Sequence, residues 1–269
     1  MHRHNLLYGG RCTMPREPEV PALDIQELHF KYPGTKVDAL KKVSVTIMPG
    51  ERVALVGPNG SGKSTLLKLI IGLEQMQSGT ISVYGHKATS CRHRVAIVPQ
   101  RSSVDWGFPV DVRQVVLMGR YVHIGWMKRP KKEDMEAVDK AMEMMGITHL
   151  ADKQIGELSG GQQQRVMIAR TLAHDADLLL LDEPLNHVDI STQELIFHTL
   201  EKLSEEGKTA IMSTHDLGIL PVHFSRALFL DSEIIADGTV SEVLTAENIA
   251  RAYGFEFHAK PEDHQWLNG

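Results

Sequence analysis

The sequence predicts an α/β fold built on a mostly parallel sheet, and three observations predict it. Arg52-Val53-Ala54-Leu55-Val56 is a short apolar run with β-branched members, a buried-strand pattern. A glycine-rich loop follows it, then Leu66-Leu67-Lys68-Leu69-Ile70-Ile71, which suits a buried helix. Further on, residues 177–182 carry four leucines and end in a carboxylate, as a strand buried on both faces does. Residues 173–230 then alternate strand and helix patterns, Thr209-Ala210-Ile211-Met212 among them, which favours parallel pairing.

The elements follow in chain order. Residues 21–56 and 79–98 read as strands broken by Pro33-Gly34, Pro49-Gly50 and Gly85. Ile25, Leu28 and Phe30 mark one run; Val43, Val45 and Ile47 mark another. Residues 101–172 read as mostly helical. Within 133–145, Met135, Val138, Met142 and Met145 recur near the 3.6 period, a core stripe in preference to a metal site. Asp231-Ser232-Glu233 reads as a turn between Ala227-Leu228-Phe229-Leu230 and Ile234-Ile235-Ala236. Residues 241–253 read as a final helix with Ser241 as its cap. No internal repeat and no coiled-coil insertion appears, and the chain stops soon after the last helix, so one unit without an appended domain is expected.

Composition narrows the function classes. Hydrophobic content of 42% suits a globular core, and a net charge of −5 without a basic stripe gives no reason to expect a nucleic-acid partner. Lys128-Arg129-Pro130-Lys131-Lys132 reads as a solvated loop before a helix. The two cysteines, Cys12 and Cys91, make no scaffold and no metal spacing, which suits a reducing cytoplasm. No run approaches the roughly 18 apolar residues of a membrane span, and the first 20 residues lack a secretory apolar stretch. They read as a disordered lead, and 258–269 as a C-terminal tail. The 14 histidines are scattered, with His2, His4, His258 and His264 in these end segments.

The loop after the first strand is Gly57-Pro58-Asn59-Gly60-Ser61-Gly62-Lys63-Ser64-Thr65, which fits G-x-x-x-x-G-K-[ST]. Glycines let backbone N–H groups approach phosphates, and the helix start adds partial positive charge. Lys63 is expected on the β- and γ-phosphates, and the Ser64 hydroxyl on Mg²⁺. Asp182, at the carboxyl end of its strand, is expected to hold Mg²⁺ through water. Glu183 is the candidate general base for an attacking water. His215 follows another strand and is positioned to contact the γ-phosphate.

With Leu158-Ser159-Gly160-Gly161-Gln162 lying between these motifs, the chain resembles the ATP-binding subunits of ABC transporters over about residues 23–255. The resemblance implies a P-loop NTPase (RecA-like) core with an antiparallel β subdomain and an inserted α-helical signature subdomain at about 101–172, the whole domain covering 21–257. It implies ATP and Mg²⁺ as ligands, Gln100 as a Mg²⁺-touching residue that senses a membrane partner, and Tyr32 as the stack on adenine. Asp189 matches the aspartate of the D-loop, although Leu185-Asn186-His187-Val188 is bulkier and more polar than usual there. It also implies that Ser159, Gly160, Gly161 and Gln162 cap the ATP of a second copy in a sandwich dimer, from a helix over 161–172.

The stretch Gln100-Arg101-Ser102-Ser103-Val104-Asp105-Trp106-Gly107-Phe108-Pro109-Val110, continuing to Val116-Leu117-Met118-Gly119-Arg120, looks like the subgroup that serves manganese, zinc or iron importers. That implies an integral membrane permease as partner, an extracytoplasmic substrate-binding protein indirectly, and a peripheral location on the cytoplasmic membrane face. Trp106 and Phe108 are expected as anchors in a groove that receives a permease helix, with packing in the core of the helical lobe as the alternative. An ATPase of an exporter or of another solute's transporter, and a non-transport ABC ATPase, are the competing readings.

Overall fold

The computed structural model describes residues 19–88, 92–125 and 127–254. The tail expected at 258–269, the expected lead up to residue 18, and both cysteines fall outside them.

Two sheets share the molecule. The first is antiparallel: β1 (Leu23–Phe30), β2 (Leu40–Ile47), β4 (Ser78–Val83) and β5 (His86–Lys87), in the order β2-β1-β4-β5. The second holds β3 (Arg52–Val56), β6 (Val95–Val98), β7 (Leu178–Asp182), β8 (Thr209–Thr214), β9 (Arg226–Asp231) and β10 (Glu233–Thr239), in the order β10-β9-β3-β8-β7-β6. Only β10 runs antiparallel to its neighbour. The helices are α1 (Lys63–Ile70), α2 (Val112–Met118), α3 (Tyr121–Ile124), α4 (Lys132–Met144), α5 (Gly160–Ala173), α6 (Ile190–Glu205), α7 (Leu220–His223), α8 (Val240–Val243) and α9 (Ala246–Tyr253).

Side-chain alternation splits the core in two. Leu178 and Leu180 of β7 join Val53 and Leu55 of β3 in a layer shared with α1 and the antiparallel sheet. Leu179 and Leu181 join Ala54 and Val56 in a layer shared with α2, α4, α5 and α6. A strand buried on both faces needs an apolar residue at every position, and the four leucines supply them. The methionine stripe of α4 points into this second layer: Val138, Met142 and Met145 are fully buried, and Met135 is half-buried. Among the described residues no cluster of metal-ligating side chains occurs.

The helical elements are stapled by one buried ion pair. Arg120 donates from Nε to Asp134 Oδ1 at 3.1 Å and from a terminal nitrogen to the Ala173 carbonyl at 3.0 Å, joining the ends of α2, α4 and α5. Asp134 also accepts from the Lys131 N–H; these partners hold its carboxyl below the usual range against the opposing effect of burial, the largest single influence on it.

Two element boundaries differ from the sequence reading. The last helix is two: Glu242 accepts from the Thr239 N–H and hydroxyl at the start of α8, and Thr245 caps α9 by accepting from the Asn248 N–H. Ser241 therefore lies inside α8 and is not the cap; a second capping threonine after Leu244 restarts the helix. The signature helix begins one residue early, at Gly160, because Ser159 is its N-cap and Gln162 reaches back to the Ser159 N–H at 3.0 Å.

Helices α2 and α5 meet at Gly119, where an added Cβ would lie 2.1 Å from the Arg170 carbonyl oxygen. Gly119→Ala should therefore cost about 1–3 kcal/mol through forced separation of the two helices. For a chain of this size that lowers the thermal midpoint by roughly 2–10 °C. An unchanged midpoint in differential scanning calorimetry would show that the crossing is looser than the structure has it.

Candidate functional site

The site lies along the carboxyl edge of the parallel sheet, where open α/β sheets bind ligands. Register brings its parts together. Val56 pairs with Thr214, Asp182 with Ser213, and Val98 with Leu181, so the ends of β3, β8, β7 and β6 sit side by side. The phosphate loop, the acid pair, His215 and Gln100 each leave the sheet within two residues of these ends.

The phosphate loop depends on glycine at two defined positions. Gly62 has φ +99°, and a Cβ there would lie 2.6 Å from the Ala39 carbonyl and 2.7 Å from Leu40 Cδ2. At Gly57 a Cβ would lie 2.2 Å from the Leu230 carbonyl. Lys63 is buried and donates to the carbonyls of Gly57 at 2.8 Å and Pro58 at 2.9 Å. Burial lowers its pKa, and the charges of Glu183 and then Asp182 oppose that shift. Ser61 Oγ is buried without a hydrogen-bond partner, an unmet polar group inside the cradle. Ser64 is half-buried in the first turn of α1. The Tyr32 hydroxyl lies 3.2 Å from Thr65 Oγ1, and its ring packs edge-on to Phe30 at 4.8 Å, which fixes the ring beside the loop.

Glu183 is the most constrained residue of the edge. Its φ is +49°, a left-handed conformation that costs energy in a non-glycine residue. Its N–H donates to Ser213 Oγ at 2.9 Å, and that hydroxyl donates to Asp182 Oδ1 at 2.8 Å. The Glu183 carboxylate accepts from Gln100 Nε2 at 3.0 Å and Asn186 Nδ2 at 2.8 Å, and lies 4.0 Å from Lys63 Nζ. Thus Lys63, Gln100, Asp182 and Glu183 form one constellation. His215 is exposed at the end of β8, and its carbonyl accepts from the Tyr253 hydroxyl at 3.5 Å.

Ser213 and Asn186 were not singled out as site residues from sequence. A hydroxyl closing an apolar strand, opposite a buried carboxylate, was the available signal for Ser213. Asn186 explains the polar run before Asp189: it stands three residues after Glu183 and holds its carboxylate.

The signature residues stand apart from this cluster. Among the described residues no hydrogen bond or ion pair joins residues 159–162 to the phosphate loop. Gly161 instead abuts the start of α6: a Cβ there would lie 2.9 Å from Asp189 Oδ2. Asp189 caps α6 and accepts from Ser191 and Thr192, which lowers its pKa to about 2. Arg165 of α5 donates twice to Thr192 Oγ1, at 3.0 and 2.8 Å, completing the link between the two helices.

The two aromatics after Gln100 part company. Trp106 is half-buried, packs on the helical core and donates to the Arg101 carbonyl at 3.1 Å, whereas Phe108 is 58% exposed. A cleft of about 350 Å³ lies between β6, the end of α1 and α5, with Leu73, Met118 and Val122 on its walls; neither aromatic lines it. No helix among the described residues is long and apolar enough to cross a membrane.

Residues 40–186 match the ABC transporter family. The manganese transport system ATP-binding protein MntB of Halalkalibacterium halodurans is 43% identical, over 87% of this chain and 92% of its own. The zinc transport system ATP-binding protein TroB of Treponema pallidum is 46% identical, over 87% of each. Among solved structures, an inward-facing metal-chelate type ABC transporter superposes with a TM-score of 0.74 at 31% identity, covering 86% of this chain and 88% of that one. The dimeric bacterial ABC transporter cassette MJ0796 gives 0.72 at 29% identity, covering 81% of this chain and 98% of that one. A phosphate loop, an acid pair and a signature helix on this sheet, with relatives matched along nearly their whole length, lead to one conclusion: the chain belongs to the ABC transporter family, as one of its ATP-binding and ATP-hydrolysing subunits.

Proposed function

We propose that this subunit powers the import of a transition-metal ion of the manganese, zinc or iron class through a separate membrane permease, from the cytoplasmic face of the membrane. The observation that carries the substrate class is the identity of 43–46% to manganese and zinc transport subunits over 87% of the chain. The metal is cargo for the permease and an extracytoplasmic binding protein. The ATPase supplies the work.

Within the site, the loop from Gly57 to Thr65 binds the phosphates through backbone N–H groups, and Lys63 exchanges its carbonyl partners for phosphate oxygens. The unpartnered Ser61 hydroxyl suits the same anion. Tyr32 stacks on adenine. Glu183 accepts the proton of the attacking water, and the left-handed turn held by Ser213 aims its carboxylate. His215 contacts the γ-phosphate. The donors expected for Mg²⁺ fit it: the Ser64 hydroxyl, the Asp182 carboxylate and the Gln100 amide are all hard oxygen ligands. When bound, the ion offsets charge on the β- and γ-phosphates. Asp182 is kept oriented for it by the Ser213 hydroxyl.

Ser159, Gly160, Gly161 and Gln162 have no partner role in their own subunit's phosphate loop. We assign them to the ATP of a second copy, in a two-fold sandwich in which each copy offers both halves of a site. The dimeric form of the MJ0796 cassette supports this arrangement. Phe108, exposed on the segment after Gln100, is the aromatic available to the permease. Trp106 packs inward and donates to the Arg101 carbonyl, so that role falls to Phe108 alone of the two.

Glu183→Gln should leave nucleotide affinity within about threefold while turnover falls about 10²–10⁴-fold, whereas Lys63→Ala should weaken nucleotide binding itself. Near-parental turnover in Glu183→Gln would remove Glu183 from the proton transfer.

Ser213→Ala strips a hydroxyl that serves two partners at once. It should lower turnover at least about tenfold, with stability down by about 1–3 kcal/mol, because the Glu183 N–H and Asp182 Oδ1 each lose a buried partner. Steady-state kinetics beside thermal unfolding test this, and parental turnover would count against the bridge.

Phe108→Ala should spare folding and ATP binding and weaken assembly with the permease by about 2 kcal/mol or more, as loss of a central aromatic anchor does. Co-purification from membranes and cellular uptake of manganese, zinc and iron are the readouts. Unchanged uptake of all three metals on deleting the protein, with loss of another solute's transport, would overturn the substrate class alone.

A further inference from the structure

Arg101 follows Gln100 directly, yet its side chain leaves the phosphate edge and runs to the signature helix. A terminal nitrogen donates to Gln163 Oε1 at 2.8 Å. Gln163 is itself buried and donates to the Ile155 carbonyl at 3.1 Å, which pins the loop ahead of α5. A Cβ at Gly160 would lie 3.0, 3.1 and 3.2 Å from three atoms of the guanidinium. Three near-equal distances mean that the flat face of the guanidinium rests where a side chain would begin. The group also lies 5.8 Å from the centroid of the Trp106 ring, and Trp106 Nε1 donates to the Arg101 carbonyl. Trp106 in turn is set against the same loop, since a Cβ at Gly156 would lie 2.9 Å from its carbonyl oxygen.

This is a costly way to fill space. Arg101 Nε is buried with no hydrogen-bond partner, where a methionine of similar length would bring no unmet polar atom of its own. The planar fork does what no apolar residue can: it contacts Gly160 with its face and Gln163 with its edge. At the other end of the same two-residue segment, Gln100 donates to the Glu183 carboxylate.

We infer that Arg101 is a positioning residue, which sets Gly160 and the start of the signature helix relative to Gln100 and Glu183. The Arg101 clasp then ties the signature glycines of each subunit to the segment that carries Gln100. The inference rests on the reading that two copies share their ATP sites. Under that reading, a misplaced signature helix spoils the site of the partner copy while leaving the phosphate loop of its own subunit intact.

The test uses the full chain with Arg101→Met and Arg101→Lys. Arg101→Met leaves the buried Gln163 Oε1 without its donor, so its thermal midpoint should fall by a few degrees, while its nucleotide affinity as a dilute monomer stays within about twofold of the parent. It should lose at least tenfold in hydrolysis. In the Glu183→Gln background it should also need at least tenfold more protein for Mg-ATP-dependent dimerisation by analytical ultracentrifugation. Arg101→Lys keeps charge and length without the fork, so it should remain at least threefold below the parent in hydrolysis. A purely structural role would lower nucleotide affinity together with hydrolysis and dimerisation, and that pattern overturns the inference. So does parental hydrolysis and dimerisation in Arg101→Met. If Arg101→Met does not fold, Arg101→Lys decides, and parental turnover there overturns it. Failure of the Glu183→Gln parent itself to associate with Mg-ATP removes the shared-site reading and the inference with it; association of the parent but equal association of the Arg101 variants removes the inference alone.

Discussion

The parallel pairing of β7 with β8 is the constraint on which the site depends. It sets Asp182 opposite Ser213, and the pairing of β8 with β3 sets Thr214 opposite Val56. A slip of one residue in either pair would turn each side chain to the other face of the sheet. The Ser213 hydroxyl would then lose both Asp182 and the Glu183 N–H. A run of four leucines fills both apolar layers equally well after a slip of one, so the run itself does not fix the register. Its polar ends do: a slip would draw Asp177 or Asp182 toward the apolar interior and break the Ser213–Asp182 hydrogen bond.

The polar groups of this edge are arranged for an anion before one arrives. Lys63 is buried, its charge held by two loop carbonyls and by the field of Glu183 and Asp182. Glycines at 57 and 62 bring the backbone close enough that any side chain would collide with neighbouring carbonyls. Such preorganisation lets binding energy go into holding the phosphates and little of it into rearranging the loop. The left-handed Glu183 belongs to the same economy. Its strain is opposed by Ser213, Asn186 and Gln100, three partners from three different segments, so the carboxylate is over-determined where a free side chain would wander.

Most of this edge was legible in the sequence because it is local. The loop from Gly57 to Thr65, the leucine run to Asp182 and Glu183, and the strand before His215 are each contiguous, and each declares its element by pattern. What remained hidden is what tertiary pairing supplies. Ser213 was visible as a residue, but its two partners are Asp182, at the end of the neighbouring strand, and Glu183, just beyond it. Asn186 was legible only as a departure from the usual D-loop. The final helix is two because Thr239 and Thr245 both cap, and a run of helix formers from 241 onward does not reveal the break at Leu244 and Thr245. The fold class survived because burial periodicity is redundant over many residues, whereas a cap is decided by one hydroxyl.

Trp106 and Phe108 show the same limit at a finer scale. Two aromatics two residues apart look equivalent as interface anchors. The structure separates them, and the cause is the pair of glycines opposite: Gly156 admits the Trp106 backbone and Gly160 admits the Arg101 guanidinium. With those places taken, Trp106 closes over Arg101 and joins the core, and the chain after Gly107 carries Phe108 outward. The segment from Gln100 to Phe108 thus has an end bonded to Glu183, an inward clasp on the signature loop and an outward aromatic, within nine residues. A displacement of Phe108 by a bound permease helix would have to move Trp106 and Arg101 or bend the backbone at Gly107. Because the first option also moves Gly160, the stiffness of this short segment would, in the proposed sandwich dimer, set how closely events at the permease are felt at the ATP of the second copy.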